Sequence, residues 1–315
     1  MPALWKRATT RVAPTSQNVF LKNYTKTLWL ARFVTARQLS TILPMNYLEK
    51  LKAAQDQTHS WLCIGLDPDP ALLRVDVLKW DEPVLPFNQA IIEATADLVC
   101  AYKPNLGFYL QWGAAGVIAL ERTIAYIPSH IPVILDCKTG DIGHTQAAWG
   151  RGLFDEWGVD AITVNPYVGA DAVLPMIGNR PEKAVYILAR TSNRSATDFQ
   201  GDLLAGVGLT ASVLERSQTW PTAGHKGYVV GATYPQELSI ARQMAPTANF
   251  LIPGIGAQGG DLAAAVQYGP DAVAGPVISA SRSILYADLS ADFAAAARAA
   301  ALALRDQINA ARAAR

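Results

Sequence analysis

Several shortages bound this 315-residue chain before any motif is weighed. It has three cysteines, Cys63, Cys100 and Cys137, and no CxxC pair. Each falls in a predicted strand, so they read as reduced core thiols of an intracellular, cytoplasmic protein rather than as a disulfide framework. The four histidines are scattered and HExxH is absent, which argues against a zinc site. No apolar run approaches the roughly 18 residues of a membrane span, so no membrane partner is expected. Net charge is only +1 and no basic stripe is interleaved with aromatics. That argues against nucleic acid as the main partner.

A further shortage is local. Residues 1–44 carry seven Lys or Arg and no acidic residue, and the first carboxylate is Glu49. An acid-free leader with Arg and Ser has the composition of an organelle transit peptide, which would imply import. The plainer expectation is upstream sequence included by a wrong start, because Met45 is followed at once by the helix-like NYLEKLKAAQDQ. Either way the leader is set apart, as a segment expected to be disordered or mis-started, and the domain is taken as 45–315. No Pro/Gly/Ser-rich linker divides that domain.

What is present is alternation. From Met45 onward short apolar runs alternate with helical stretches, the pattern of a parallel sheet wrapped by helices. Eight strands are predicted: Trp61 to Leu66, Val99 to Lys103, Val133 to Cys137, Ala161 to Val164, Ala184 to Ala189, Gly227 to Val230, Asn249 to Pro253 and Asp271 to Ala274. Eight successive units in an α/β chain of this size favour a single-domain (β/α)8 TIM barrel over an open doubly wound sheet. The long connection from Thr191 to Lys226 is expected to hold a helix near Leu203 to Arg216. The Ala-rich tail from Ala291 reads as a final helix, with Arg298, Arg305 and Arg312 forming a solvated stripe.

The chemistry concentrates at strand ends. Val133 to Thr145 reads VILDCKTGDIGHT, so a buried strand runs into Asp136, Lys138 and Asp141. Residues two apart on a strand share a face, which places Asp136 and Lys138 side by side. In such barrels the active site lies at the carboxyl ends of the strands. Asp67, Lys103, Thr191, Ser192, the glycine-rich GIGAQGG of 254–260 and Arg282 all fall there. Singly, each has an ordinary explanation. Asp67 before Pro68 starts a turn, Lys103 before Pro104 is a loop lysine, and Asp141 caps a helix. Their shared placement is what points to a reaction centre. The GxGxxG at 254–260 follows the seventh strand and has no acidic residue about 20 positions on, so it fails as a dinucleotide fingerprint. Its better use is to bring backbone N–H groups to a phosphate, with Arg282 after strand eight.

The spacing Asp136-x-Lys138-x-x-Asp141-Ile142-x-x-Thr145, with Lys103 upstream and 254–260 and Arg282 downstream, resembles the orotidine 5'-phosphate decarboxylase family, in its longer bacterial form. The resemblance runs from about Met45 to the end of strand eight. It implies decarboxylation of orotidine 5'-phosphate to UMP without metal or organic cofactor, by a charged tetrad of Lys103, Asp136, Lys138 and Asp141. It also implies a homodimer with shared sites, in which Asp141, Ile142 and Thr145 reach into the neighbouring subunit. Asp67 would hold ribose hydroxyls, Ser192 the pyrimidine, and Gln258 with Arg282 the 5'-phosphate. Two departures stand out: Asn193-Arg194-Ser195 replaces a common Pro-Gly turn, and Ser281 replaces a frequent glycine, which is tolerable if the backbone there does not need positive φ. The alternatives are a magnesium-dependent keto-sugar-phosphate decarboxylase of the same superfamily, disfavoured by a lysine at position 103, and a phosphate-binding barrel without activity, which would not need the charged array.

Overall fold

The computed structural model describes residues 45–74, 76–79, 81–200, 208–255, 259–288 and 292–315. The expectations for the 1–44 leader and for Gln258 lie outside the described residues.

Eight parallel strands form one sheet: β1 Leu62–Leu66, β2 Ala101–Pro104, β3 Ile134–Thr139, β4 Ala161–Val164, β5 Ala184–Arg190, β6 His225–Val230, β7 Phe250–Pro253 and β8 Val277–Ala280. The order is β2-β1-β8-β7-β6-β5-β4-β3. Isolated parallel bridges Tyr102 to Val133 and Asn105 to Asp136 bring the two ends of the sheet together, so it is a barrel. Around it run α1 Tyr47–Thr58, α2 Val84–Thr95, α3 Leu106–Leu110, α4 Gly113–Tyr126, α5 Gly143–Gly150, α6 Leu174–Ile177, α7 Leu209–Gln218, α8 Pro235–Met244, α9 Leu262–Tyr268, α10 Arg282–Leu285 and α11 Phe293–Ala313.

Period-two alternation sorts the strand side chains into two cores. Leu62, Ile64, Leu66, Tyr102, Leu135, Ile162, Val185 and Ile252 face the helices. Cys63, Ala101, Ile134, Ala161, Ala184, Tyr186, Val229, Leu251 and Val277 fill the barrel interior. Both faces are therefore buried, which is why most strands read as apolar runs rather than alternating ones.

The amino end of the barrel is closed by α1. An Asn46–Glu49 capping box starts that helix. Tyr47 Oη lies 2.9 Å from Tyr186 Oη, and Tyr186 Oη donates to Asn249 Oδ1 at 2.7 Å. Lys50 Nζ pairs with Asp160 at 2.8 Å. Among the described residues the amino end of the barrel is thus filled by packed side chains, and the charged strand ends lie at the carboxyl end.

Strand eight lies later than the sequence suggests. Asp271 to Ala274 forms a turn, because Asp271 Oδ1 accepts from the N–H groups of Val273 at 2.6 Å and Ala274 at 2.7 Å. Gly275 then passes so near the Trp61 indole that a Cβ there would sit 2.0 Å from Trp61 Nε1. The ladder starts only at Val277. The long connection holds its helix at Leu209–Gln218, starting later than expected, with 201–207 outside the described residues. The arginine stripe on α11 is not simply a solvated face. Arg298 donates to Asp97 at 2.6 Å and to the Ala94 carbonyl at 2.7 Å, and the Arg312 guanidinium stacks over Trp61 at 4.1 Å. Two of the three arginines thus dock α11 against α2 and the loop before β1.

At the base, His225 opens β6 with Nε2 buried and without a hydrogen-bond partner among the described residues. Burial pushes its pKa down to about 4, with Asp271 opposing the shift and Lys226 adding to it. The folded state keeps the imidazole neutral, whereas the unfolded chain takes up a proton below about pH 6.5. Stability from this group is complete above that pH and is lost as pH falls from 6.5 towards 4. The expected loss is about 3 kcal/mol over that window. Denaturant unfolding at pH 7 and pH 4.5 is expected to show a smaller pH dependence for His225→Gln than for the native chain.

Candidate active site

Asp136 is the centre of the carboxyl-end cluster. Lys103 comes from β2 and Asp136 and Lys138 from β3, all on positions that turn inward. Asp136 Oδ2 receives Lys103 Nζ at 3.2 Å and Asn105 Nδ2 at 3.1 Å. Its Oδ1 receives Lys138 Nζ at 2.6 Å and Thr163 Oγ1 at 2.8 Å. Four donors match the roughly four acceptor sites of an ionised carboxylate. Burial alone would raise the Asp136 pKa, but the two ammonium groups and the hydrogen bonds from Lys138 and Thr163 hold it well below the usual carboxylate range. For Lys103, burial alone would lower the pKa, and the charges of Asp136 and Asp67 outweigh it and raise the ammonium above an ordinary lysine. Both groups stay charged at neutral pH.

The two lysines are not equivalent. The Lys103 side chain is 9% exposed and that of Lys138 is 47% exposed. Lys103 is a fixed counter-ion, whereas Lys138 stands at the open side of the cluster. Lys138 also has φ +46°, and the β3–β4 register slips between Leu135 and Thr139. A left-handed non-glycine residue costs roughly 1–2 kcal/mol, and such strain collects where a side chain must be aimed.

A cavity of about 490 Å³ opens above this array. Asp67, Lys103, Asp136, Lys138, Ser192 and Arg282 all line it, together with Asn105, Phe108, Thr163, Gly254, Ser279 and Ser281. Asp67 Oδ1 and Ser281 Oγ are buried in its wall with no hydrogen-bond partner among the described residues. Buried polar atoms of this kind suit a ligand that brings hydroxyl groups. Ser281 has φ −134°, so its backbone does not demand glycine. After β7 the Gly260 N–H donates to the Gly254 carbonyl at 2.9 Å. Gly254, with φ +103°, and Arg282 stand on the same rim.

Asp141, Ile142 and Thr145 do not join the cavity of their own chain. Asp141 Oδ1 accepts from the Ile142 N–H at 2.8 Å, its backbone N–H donates to Gln146 Oε1 at 3.1 Å, and Ile142 is 53% exposed. Asn105 and Thr163 were not singled out by sequence, although both touch Asp136. The available signals were a lone hydroxyl in the buried strand AITV and a carboxamide two positions after Lys103.

A (β/α)8 barrel whose carboxyl end carries paired lysines flanking a buried carboxylate, beneath a rim with Gly254 and Arg282, has the build of a barrel enzyme. The sequence profile described as "Orotidine 5'-phosphate decarboxylase / HUMPS family" matches residues 60–300. The chain is 51% identical over 270 residues to orotidine 5'-phosphate decarboxylase of Thermomicrobium roseum, covering 84% of this chain and 95% of that protein. The corresponding protein of Cellvibrio japonicus is 46% identical over 278 residues, covering 85% and 100%. Among solved structures, Leishmania donovani OMP decarboxylase superposes with TM-score 0.73 at 37% identity, over 85% of this chain and 99% of that one. Leishmania donovani UMP synthase gives TM-score 0.75 at 38% identity, and there the match spans 57% of the longer chain. The chain belongs to the orotidine 5'-phosphate decarboxylase family.

Proposed function

We propose that this barrel decarboxylates orotidine 5'-phosphate to UMP and carbon dioxide, a step of UMP biosynthesis, with Lys138 as the proton donor. The observation that carries it is the Lys103–Asp136–Lys138 array at the floor of the cavity. When the bond from pyrimidine carbon 6 to the carboxylate breaks, carbon dioxide leaves and the electron pair stays on carbon 6, in an orbital that cannot delocalise into the ring. The anion needs a cation and a proton at one place. Lys138 offers both: its ammonium faces the developing charge, passes a proton to carbon 6 to give UMP, and regains a proton from solvent. Asp136, held ionised, crowds the departing carboxylate. Lys103 keeps Asp136 charged and in place.

A single ion contact at about 4 Å supplies roughly 4 kcal/mol at an effective dielectric near 20. Enzymes lower barriers by about 8 to 23 kcal/mol, so remote contacts must contribute. Asp67 is assigned to the ribose hydroxyls, Ser192 to the pyrimidine, and Arg282 with Gln258 to the phosphate, whose binding energy holds the reacting atoms in position.

The shared-site assignment follows from the same logic. Asp141, Ile142 and Thr145 lie outside their own cavity, and exposed apolar residues accompany them: Trp149 on α5, and Tyr167 and Val168 after β4, with Tyr167 92% exposed. Asn165 packs against Gly140, so these loops are neighbours. We assign this face to a second copy of the chain, whose Asp141, Ile142 and Thr145 would complete the site. No described helix is long and apolar enough to cross a membrane, and the assigned setting is the cytoplasm.

The keto-sugar-phosphate alternative requires a magnesium ion beside the central carboxylate, and two ammonium groups already take that ground. Incubating the purified protein with orotidine 5'-phosphate, with and without EDTA, is expected to yield UMP at equal rates. Magnesium-dependent turnover of a keto-sugar phosphate in place of this activity would overturn the assignment.

A further inference from the structure

One hydroxyl beneath the cavity does two jobs. Thr163, on β4, is 1% exposed. Its Oγ1 accepts from the Lys138 backbone N–H at 3.0 Å and lies 2.8 Å from Asp136 Oδ1. The directions are fixed by the partners: an amide can only donate and an ionised carboxylate can only accept, so the Thr163 proton must point at Asp136. The same Oδ1 receives the Lys138 ammonium at 2.6 Å. A closed ring results, running from the Lys138 N–H through the Thr163 hydroxyl and the Asp136 carboxylate to Lys138 Nζ. Both ends of one lysine are thereby referred to one threonine.

This ring sits where β3 departs from regular pairing. The β3–β4 register slips between Leu135 and Thr139, and Lys138 takes φ +46°. At that slip the Lys138 amide is received by a side-chain hydroxyl from β4 instead of a strand carbonyl. The backbone turn that aims Lys138 into the cavity and the carboxylate that anchors its ammonium are therefore set by the same atom.

We propose that Thr163 is a positioning residue for the decarboxylation, its hydroxyl fixing the Lys138 backbone and the Asp136 carboxylate relative to each other. This rests on the assignment of Lys138 as proton donor. Thr163 does not reach the reacting carbon on this account; it acts through its two neighbours. Loss of the hydroxyl leaves the Lys138 amide without an acceptor and Asp136 one donor short, while the rim and the ribose contacts are untouched. The chemical step suffers and binding does not.

The test compares the native protein with Thr163→Val, which keeps the shape, Thr163→Ser, which keeps the hydroxyl, and Lys138→Ala as reference. Active sites are counted by UMP binding, so that any unfolded fraction drops out. Thr163→Val is expected to lower kcat by about 10- to 100-fold, the scale of a hydrogen bond to a charged group. Its KM and its UMP dissociation constant are expected to stay within about threefold of native, and Thr163→Ser to recover most of kcat. If the valine chain does not fold, Thr163→Ala carries the same comparison against serine. Native kcat in the valine or alanine variant, or an equal loss in the serine variant, would overturn the proposal. If Lys138→Ala keeps native turnover, the proton-donor assignment itself fails. If Lys138→Ala is inactive and Thr163→Val is native-like, only the role of Thr163 is lost.

Discussion

Lys138→Ala is expected to slow decarboxylation by on the order of 10⁵-fold while UMP affinity changes only a few-fold. The size follows from what the side chain is asked to do. Its ammonium meets the carbanion with roughly 4 kcal/mol of attraction, about a thousandfold in rate, and positioned proton delivery adds about a further hundredfold or more. UMP has no carboxylate at carbon 6, and its phosphate and ribose are held elsewhere, so product binding survives. Single-turnover kinetics with UMP binding measured alongside separates the two. Turnover near the native rate would remove Lys138 from its role, and loss of UMP binding in a folded variant would show that it grips the ligand rather than the transition state.

The second large effect concerns Asp141. If the proposed sharing of sites holds, Asp141→Ala is expected to lose on the order of 10³-fold in kcat, because each site would lack the carboxylate assigned to it from a second copy. The more decisive result comes from mixing. In an equal, randomly re-associated mixture of Lys138→Ala and Asp141→Ala chains, half of the dimers are mixed. Each mixed dimer has one site with both changes and one with neither, so about a quarter of native activity should return. If Asp141 served its own chain, every site would remain defective and mixing would restore nothing. Activity of the mixture, with the oligomeric state followed by sedimentation, decides the matter.

Much of the architecture was legible because buried parallel strands write themselves as apolar runs. Ala161–Val164 falls where it was expected, and the first seven strands differ from expectation only at their edges. The eighth was misplaced because Asp271 to Ala274 is apolar enough to pass for a strand, and only the carboxylate bonding back to its own following amides reveals a turn. The arginines of α11 were misjudged for a related reason. A charge at helical spacing says nothing about whether Trp61 or Asp97 lies opposite. At the site, charged residues at strand ends announce themselves, so Lys103, Asp136 and Lys138 were readable from spacing. The hydroxyl of Thr163 and the carboxamide of Asn105 were not, since their importance lies in contacts across strands 25 to 31 positions apart.

The meeting of β2 and β3 carries one last implication. There the ladder is reduced to two isolated bridges, and the bonds that Asp136 makes with Lys103 and Asn105 span the same gap. The barrel is thus stitched shut by the charged cluster at the floor of its cavity. Protein engineers seeking heat tolerance would find this seam closed to hydrophobic replacement, since any exchange that removed these side chains would delete the charges on which the proposed reaction rests. Durability must be gained elsewhere on the wall, and heating is expected to part the molecule first along the line where it works.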